Sequence, residues 1–150
     1  MTVVVWDGEV LATDCAATDG AAMWETTKAW YHNNNGRQEI LSGAGPVQSI
    51  LAMREWYKRG AIADGLPPSQ LSPNWCHFIV VTASGLYRYE QGPHSIYHGF
   101  NLCAFGEGKD FALGAMEMEA DAARAVEVCN KLSPYCGLGV SRYQLEIHRK

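Results

Sequence analysis

Thr2-Val3-Val4-Val5-Trp6 is continuously β-branched or aromatic, the pattern of a strand buried on both faces. Asp7-Gly8 signals a hairpin turn, and Glu9 to Ala16 returns as a second strand. In that strand Val10, Ala12, Asp14 and Ala16 share one face, and Leu11, Thr13 and Cys15 the other. Asp14 therefore keeps small apolar company, where a carboxylate away from an edge needs a cationic partner. After a turn at Thr18-Asp19-Gly20, residues 22 to 32 read as a third strand with Trp24, Thr26, Lys28 and Trp30 on one face. Lys28 is either the cation Asp14 asks for or a snorkelling surface lysine. A turn at Asn33-Asn34-Asn35-Gly36 leads to a short strand, Glu39 to Ser42, which runs into Gly43-Ala44-Gly45-Pro46.

Pro46 suits the first position of a helix, predicted to reach Arg59 with Val47, Ile50, Leu51, Met53, Trp56 and Tyr57 as its apolar stripe and Gly60 as its stop. Prolines at 67, 68 and 73 make residues 61 to 74 a loop with at most one helical turn. Strands follow at Trp75 to Thr82, Leu86 to Tyr89 and Ile96 to Phe105. Tyr87-Arg88-Tyr89 alternates as a strand with one wetter face does. Beyond Gly106-Glu107-Gly108, the residues Phe111, Ala115, Met118, Ala122, Ala125, Cys129 and Leu132 recur at steps of four and three, one apolar seam of a long helix ended by Pro134. A last strand runs from Val140 to Ile147, with Val140, Tyr143 and Leu145 inward. Blocks of antiparallel strands separated by helices give a layered α+β fold.

Length adds that 150 residues make one domain, 1–150, with a core large enough to need neither disulfide nor metal. The net charge of -4 leaves no basic stripe, which argues against nucleic acid and an anionic membrane as partners. No apolar run reaches the roughly 18 residues of a membrane span. Five scattered cysteines, without a CxxC pair or a signal peptide ahead of them, suit reduced thiols in a cytoplasm. The five histidines lack metal-site spacing, so neither metal nor other cofactor is expected.

One stretch carries candidate chemistry. Removal of Met1, favoured by the small residue after it, leaves Thr2 with a hydroxyl and a free α-amine, a nucleophile with its own base. In order along the chain, Thr2-Val3-Val4-Val5, Asp7-Gly8, Leu11-Ala12-Thr13-Asp14-Cys15-Ala16-Ala17-Thr18, a lysine in the next strand, Ser42-Gly43-Ala44-Gly45 before a helix, and Gly106-Glu107-Gly108-Lys109-Asp110-Phe111 into another resemble a proteasome β-type subunit or its HslV-like relatives. The resemblance implies a four-layer αββα sandwich of two antiparallel sheets, the N-terminal-nucleophile (Ntn) hydrolase fold, with one helical layer reduced because residues 61 to 74 are too short for a second long helix. It implies peptide-bond hydrolysis with Thr2 as nucleophile, Asp14 holding a catalytic Lys28, and an oxyanion N–H from Gly43 or else Ser42. It further implies a homo-oligomeric ring, unfolded polypeptides as substrates and a separate ATP-dependent unfoldase. Where relatives carry a serine in the glycine-rich turn, this chain has Glu107. Where they carry an aspartate and a hydroxyl near the end, it has Ser133 and Cys136. These departures keep two other readings open, an inactive structural or assembly subunit and an amidohydrolase acting on a small amide.

Overall fold

The computed structural model describes residues 2–61, 67 and 73–148. Its elements run β1 (Val3–Trp6), β2 (Leu11–Asp14), β3 (Ala16–Asp19), β4 (Ala22–Glu25), β5 (Ala29–Asn34), β6 (Arg37–Ala44), α1 (Val47–Lys58), β7 (His77–Thr82), β8 (Gly85–Tyr89), β9 (Ile96–Gly99), β10 (Cys103–Gly106), α2 (Lys109–Glu117), α3 (Ala122–Leu132) and β11 (Val140–Tyr143). One antiparallel sheet has the order β10-β1-β2-β11 and a second β5-β6-β7-β8-β9, while β3 and β4 form a separate ribbon. The opening hairpin sits in the middle of its sheet, with Val4 opposite Thr13 and Val5 opposite Ala12.

Alternation along these strands distributes side chains between three cores. Val4, Trp6 and Leu11 meet Ile40, Ile79 and Leu86 between the two sheets. Val3, Val5 and Ala12 turn the other way, onto Ala112 and Met116 of α2 and Ala125, Val126 and Cys129 of α3. Leu41, Phe78 and Val80 pack under Ile50, Met53 and Trp56 of α1. The layers are therefore helix, sheet, sheet, helix. All four residues of β1 are buried, as expected of a central strand with apolar layers on both sides. One layer holds two helices; among the described residues the other holds α1. The predicted loop at 61–74 lies largely outside the described residues.

Several boundaries differ from the sequence-based expectation; the strand expected over Glu9 to Ala16 breaks at Cys15, with β2 in the four-stranded sheet and Ala16 opening β3 in the small ribbon. The span 22–32 is divided, with β4 in the small ribbon and β5 in the five-stranded sheet, so Thr26 to Lys28 join strands rather than share a strand face. The span 96–105 is two strands in two sheets, joined by a crossing at Phe100 to Leu102. The last strand ends at Tyr143, and Glu146–His148 form a 3-10 turn, although Leu145 is buried.

The long helix is a helical hairpin. Its proposed seam fails in the first half, where Ala112 and Met116 are buried while Phe111 and Met118 are exposed. The break comes at Glu119, whose φ of 70° is left-handed, a conformation more often taken by glycine. A fresh N-cap at Asp121 follows, its side chain accepting the Arg124 N–H at 2.8 Å. The first helical N–H of α3, on Ala122, reaches Asp7 Oδ2 at 2.9 Å, so the tip of the opening hairpin fixes where α3 begins.

Candidate active site

Thr2 precedes β1 and is 6% exposed. It owes its place to Gly106 of the neighbouring strand, where φ is 100° and any Cβ would collide with the Thr2 carbonyl group. Asp14 ends β2, fully buried, and its two carboxylate oxygens collect five donors. Oδ1 accepts the Thr2 hydroxyl at 3.0 Å, the Val3 N–H at 3.1 Å and the Lys28 ammonium at 2.7 Å. Oδ2 accepts the N–H groups of Ala16 at 3.4 Å and Gly137 at 3.2 Å.

Lys28, in the extended segment before β5, is 9% exposed at its side chain. Ser42 of β6 pins its backbone, the hydroxyl donating to the Lys28 carbonyl at 2.8 Å. Burial lowers the ammonium's pKa from its ordinary value, and the hydrogen bond and charge of Asp14 oppose that shift. The ammonium, its side chain mostly buried, shares Asp14 Oδ1 with the Thr2 hydroxyl.

The structure thus brings Thr2, Asp14 and Lys28 into one cluster. Gly43 of β6 borders the same cavity of about 240 Å³ as Thr2 and Lys28, where a Cβ would press on the Ile50 side chain and the His77 carbonyl. Trp24, Trp30, Val47, Ile50 and Leu51 make the wall of this cavity apolar. Cys136 lies beside the cluster: burial, then the Asp14 charge, raises its thiol pKa, while Lys28 acts in the opposite direction. Ser133 is buried but turned to its own loop, its hydroxyl accepting the Tyr135 N–H at 3.2 Å. Glu107 is exposed on a second, larger cavity of about 1000 Å³ that also reaches Thr2, and it takes no part in the Asp14 network.

Two features of the site are not legible in the sequence. The donors of Val3, Ala16 and Gly137 are backbone groups; Gly137 has only its Gly-Leu-Gly setting to mark it. The second is the wall of the larger cavity, where His77, Arg88 and His98 gather around Phe105. Alternation places Arg88 on the face opposite Tyr87 and Tyr89, and the wet face turns out to lie between the sheets, with Leu86. Burial foremost, then the Arg88 charge, lowers the pKa of both histidines. Among the described residues no three His, Cys, Asp or Glu side chains converge as a metal site, and no helix is long and apolar enough to cross a membrane.

No protein-family model matches the chain, and no curated protein does. Solved structures do. Eukaryotic HslV from Trypanosoma brucei superposes with a TM-score of 0.65 at 15% identity, covering 95% of this chain and 97% of that one. This chain has the Ntn-hydrolase fold of HslV. The HslV-like architecture extends to Thiobacillus denitrificans BPH, with a TM-score of 0.67, 14% identity and 97% and 99% of the two chains covered; BPH is also known in complex with epoxomicin. The Anbu (Gly-1) mutant from Hyphomicrobium sp. strain MC1 reaches a TM-score of 0.74 at 12% identity, over 96% of this chain and 82% of that one. At such identities the HslV likeness is one of fold.

Proposed function

We propose that this chain is a threonine-type endopeptidase subunit of a self-compartmentalised, proteasome-like assembly, acting through Thr2 after removal of Met1. The observation that carries this reading is the sharing of one carboxylate oxygen, Asp14 Oδ1, by the Thr2 hydroxyl and the Lys28 ammonium. The freed α-amine, with a reference pKa of about 7.7 to 8, accepts the hydroxyl proton as Oγ1 attacks the scissile carbonyl carbon. Lys28 depresses the amine's pKa and keeps it neutral, and Asp14 holds Lys28 in place. The Gly43 N–H is assigned to the oxyanion, a contribution on the order of 3 kcal/mol. The amine then returns the proton to the leaving nitrogen, and water hydrolyses the Thr2 ester.

The substrate is an unfolded polypeptide with a bulky apolar side chain on the acyl side, seated against Trp30, Val47 and Leu51. A cytoplasmic homo-oligomeric ring would confine the reaction, fed by a separate ATP-dependent unfoldase. The second reading, an inactive structural subunit, draws support from Glu107 standing outside the trio where relatives carry a serine.

The test is labelling by an epoxyketone peptide such as epoxomicin, followed by peptide mapping. The expected result is an intact mass lower by one methionine residue, an adduct on Thr2, and peptidase activity that Thr2→Ala lowers by several orders of magnitude. Processed, assembled protein that neither labels nor cleaves would leave the structural-subunit reading.

A further inference from the structure

Four residues along β6 from Gly43, about 13 Å at the rise of a strand, a second buried carboxylate faces a different cavity. Glu39 is 5% exposed, on the same face of β6 as Leu41, and among the described residues the one hydrogen bond of its side chain is that which Oε1 accepts from the Tyr57 hydroxyl at 2.8 Å. None of the ion pairs among the described residues includes it. The cavity it borders has a volume of about 610 Å³, with Tyr57, Tyr87 and Tyr89 in its wall and Thr82 and Ser84 at its rim. Burial and the Glu39 carboxylate raise the pKa of the Tyr57 phenol, so near neutral pH it is a donor to Glu39 and not a competing anion.

A buried carboxylate with spare acceptor capacity, among aromatic rings, is the chemistry that receives an organic cation: charge pairing at one end and cation–π attraction around the stem. We propose that this cavity receives the lysine or arginine side chain of a partner polypeptide, held by Glu39 and by the rings of Tyr57, Tyr87 and Tyr89. The surroundings favour a polypeptide over a free amine. Ile147, 72% exposed, borders the cavity, and Tyr97, 57% exposed, meets Tyr87 in a tilted ring contact with centroids 4.9 Å apart, giving apolar footing for residues flanking the cation. Arg37 also borders the cavity and is exposed. It forms no ion pair with Glu39 among the described residues, so the carboxylate stays open to a cation from outside. The inference does not depend on the proteolytic reading, because no group of the Thr2 cluster contributes to this cavity.

The test titrates the whole chain at low salt with N-acetyl-arginine amide and N-acetyl-lysine amide, using N-acetyl-norleucine amide as the uncharged stem and tyrosine fluorescence as the readout. Saturable one-to-one binding of the charged probes is expected, with norleucine at least tenfold weaker. Glu39→Gln should weaken the charged probes at least tenfold, and Arg37→Gln should leave them as tight or tighter. Norleucine binding equal to that of the charged probes, or no saturation by either charged probe in both wild type and Arg37→Gln, would overturn the inference. So would undiminished binding by Glu39→Gln with an unchanged unfolding midpoint. If Glu39→Gln does not fold, the norleucine comparison decides alone.

Discussion

Asp14 and Glu39 are both buried carboxylates, and they are held in opposite ways. Asp14 meets five donors, one of them a cation; Glu39 meets one phenol. A saturated carboxylate has no lone pair left for a ligand, so its work is to fix the groups around it. An unsaturated one retains capacity to bind. The contrast separates a site built to position its own residues from one open to something brought from outside.

The same chemical change should tell them apart most strongly. Asp14→Asn turns an NH2 group toward donors and leaves Lys28 buried without its counter-charge, so a loss of about 3–5 kcal/mol is expected from denaturant midpoints. Glu39→Gln keeps an oxygen for Tyr57 and should change stability by less than about 1 kcal/mol. Similar losses at both positions would erase the distinction. Next in size is Lys28→Met, which removes the cation but leaves Asp14 its four other donors; a loss of about 2–3 kcal/mol is expected in the same assay. Tyr57→Phe takes away the one donor to the Glu39 carboxylate among the described residues and should cost about 1–2 kcal/mol.

The smallest effect is a pH dependence of opposite sign at the two places. Burial lowers the Lys28 pKa from 10.5, so below that pH the unfolded chain binds more protons and stability from this group rises with pH. The Tyr57 pKa is raised from 10.0, so the folded chain retains the proton longer and stability from this group falls as pH rises past 10. Between pH 8.5 and 10.5, Tyr57→Phe should therefore lose less stability than wild type, and Lys28→Met more.

How much of this was legible depended on where the information sits. The inter-sheet packing and the Asp14–Lys28 pairing follow from side-chain types and period. Asp14 among alanines needed a cation, and Lys28 was the lysine within reach. The helical hairpin was hidden because its break uses Glu119 in place of a glycine, and because alanines at 112, 115, 122 and 125 let a seam be drawn through either register. The crossing at Phe100 to Leu102 was hidden by residues as apolar as the strands they join. Three of the five donors to Asp14 are main-chain groups, which the fold supplies and no residue name announces. In the sequence Glu39 is one more residue of a strand, and its burial depends on α1 lying over it with Tyr57.

The central position of the opening hairpin has a consequence for synthesis. β1 is flanked by β10, and β2 by β11, so these two strands leave a ribosome well before the partners on either side of them. Until then their ladder edges and apolar faces stay open, a hazard for aggregation and a source of slow, non-local folding. Gly106, which leaves room for Thr2, and Gly137, which anchors Asp14, also arrive late. A nascent chain therefore carries Thr2 long before the residues that seat it have been made.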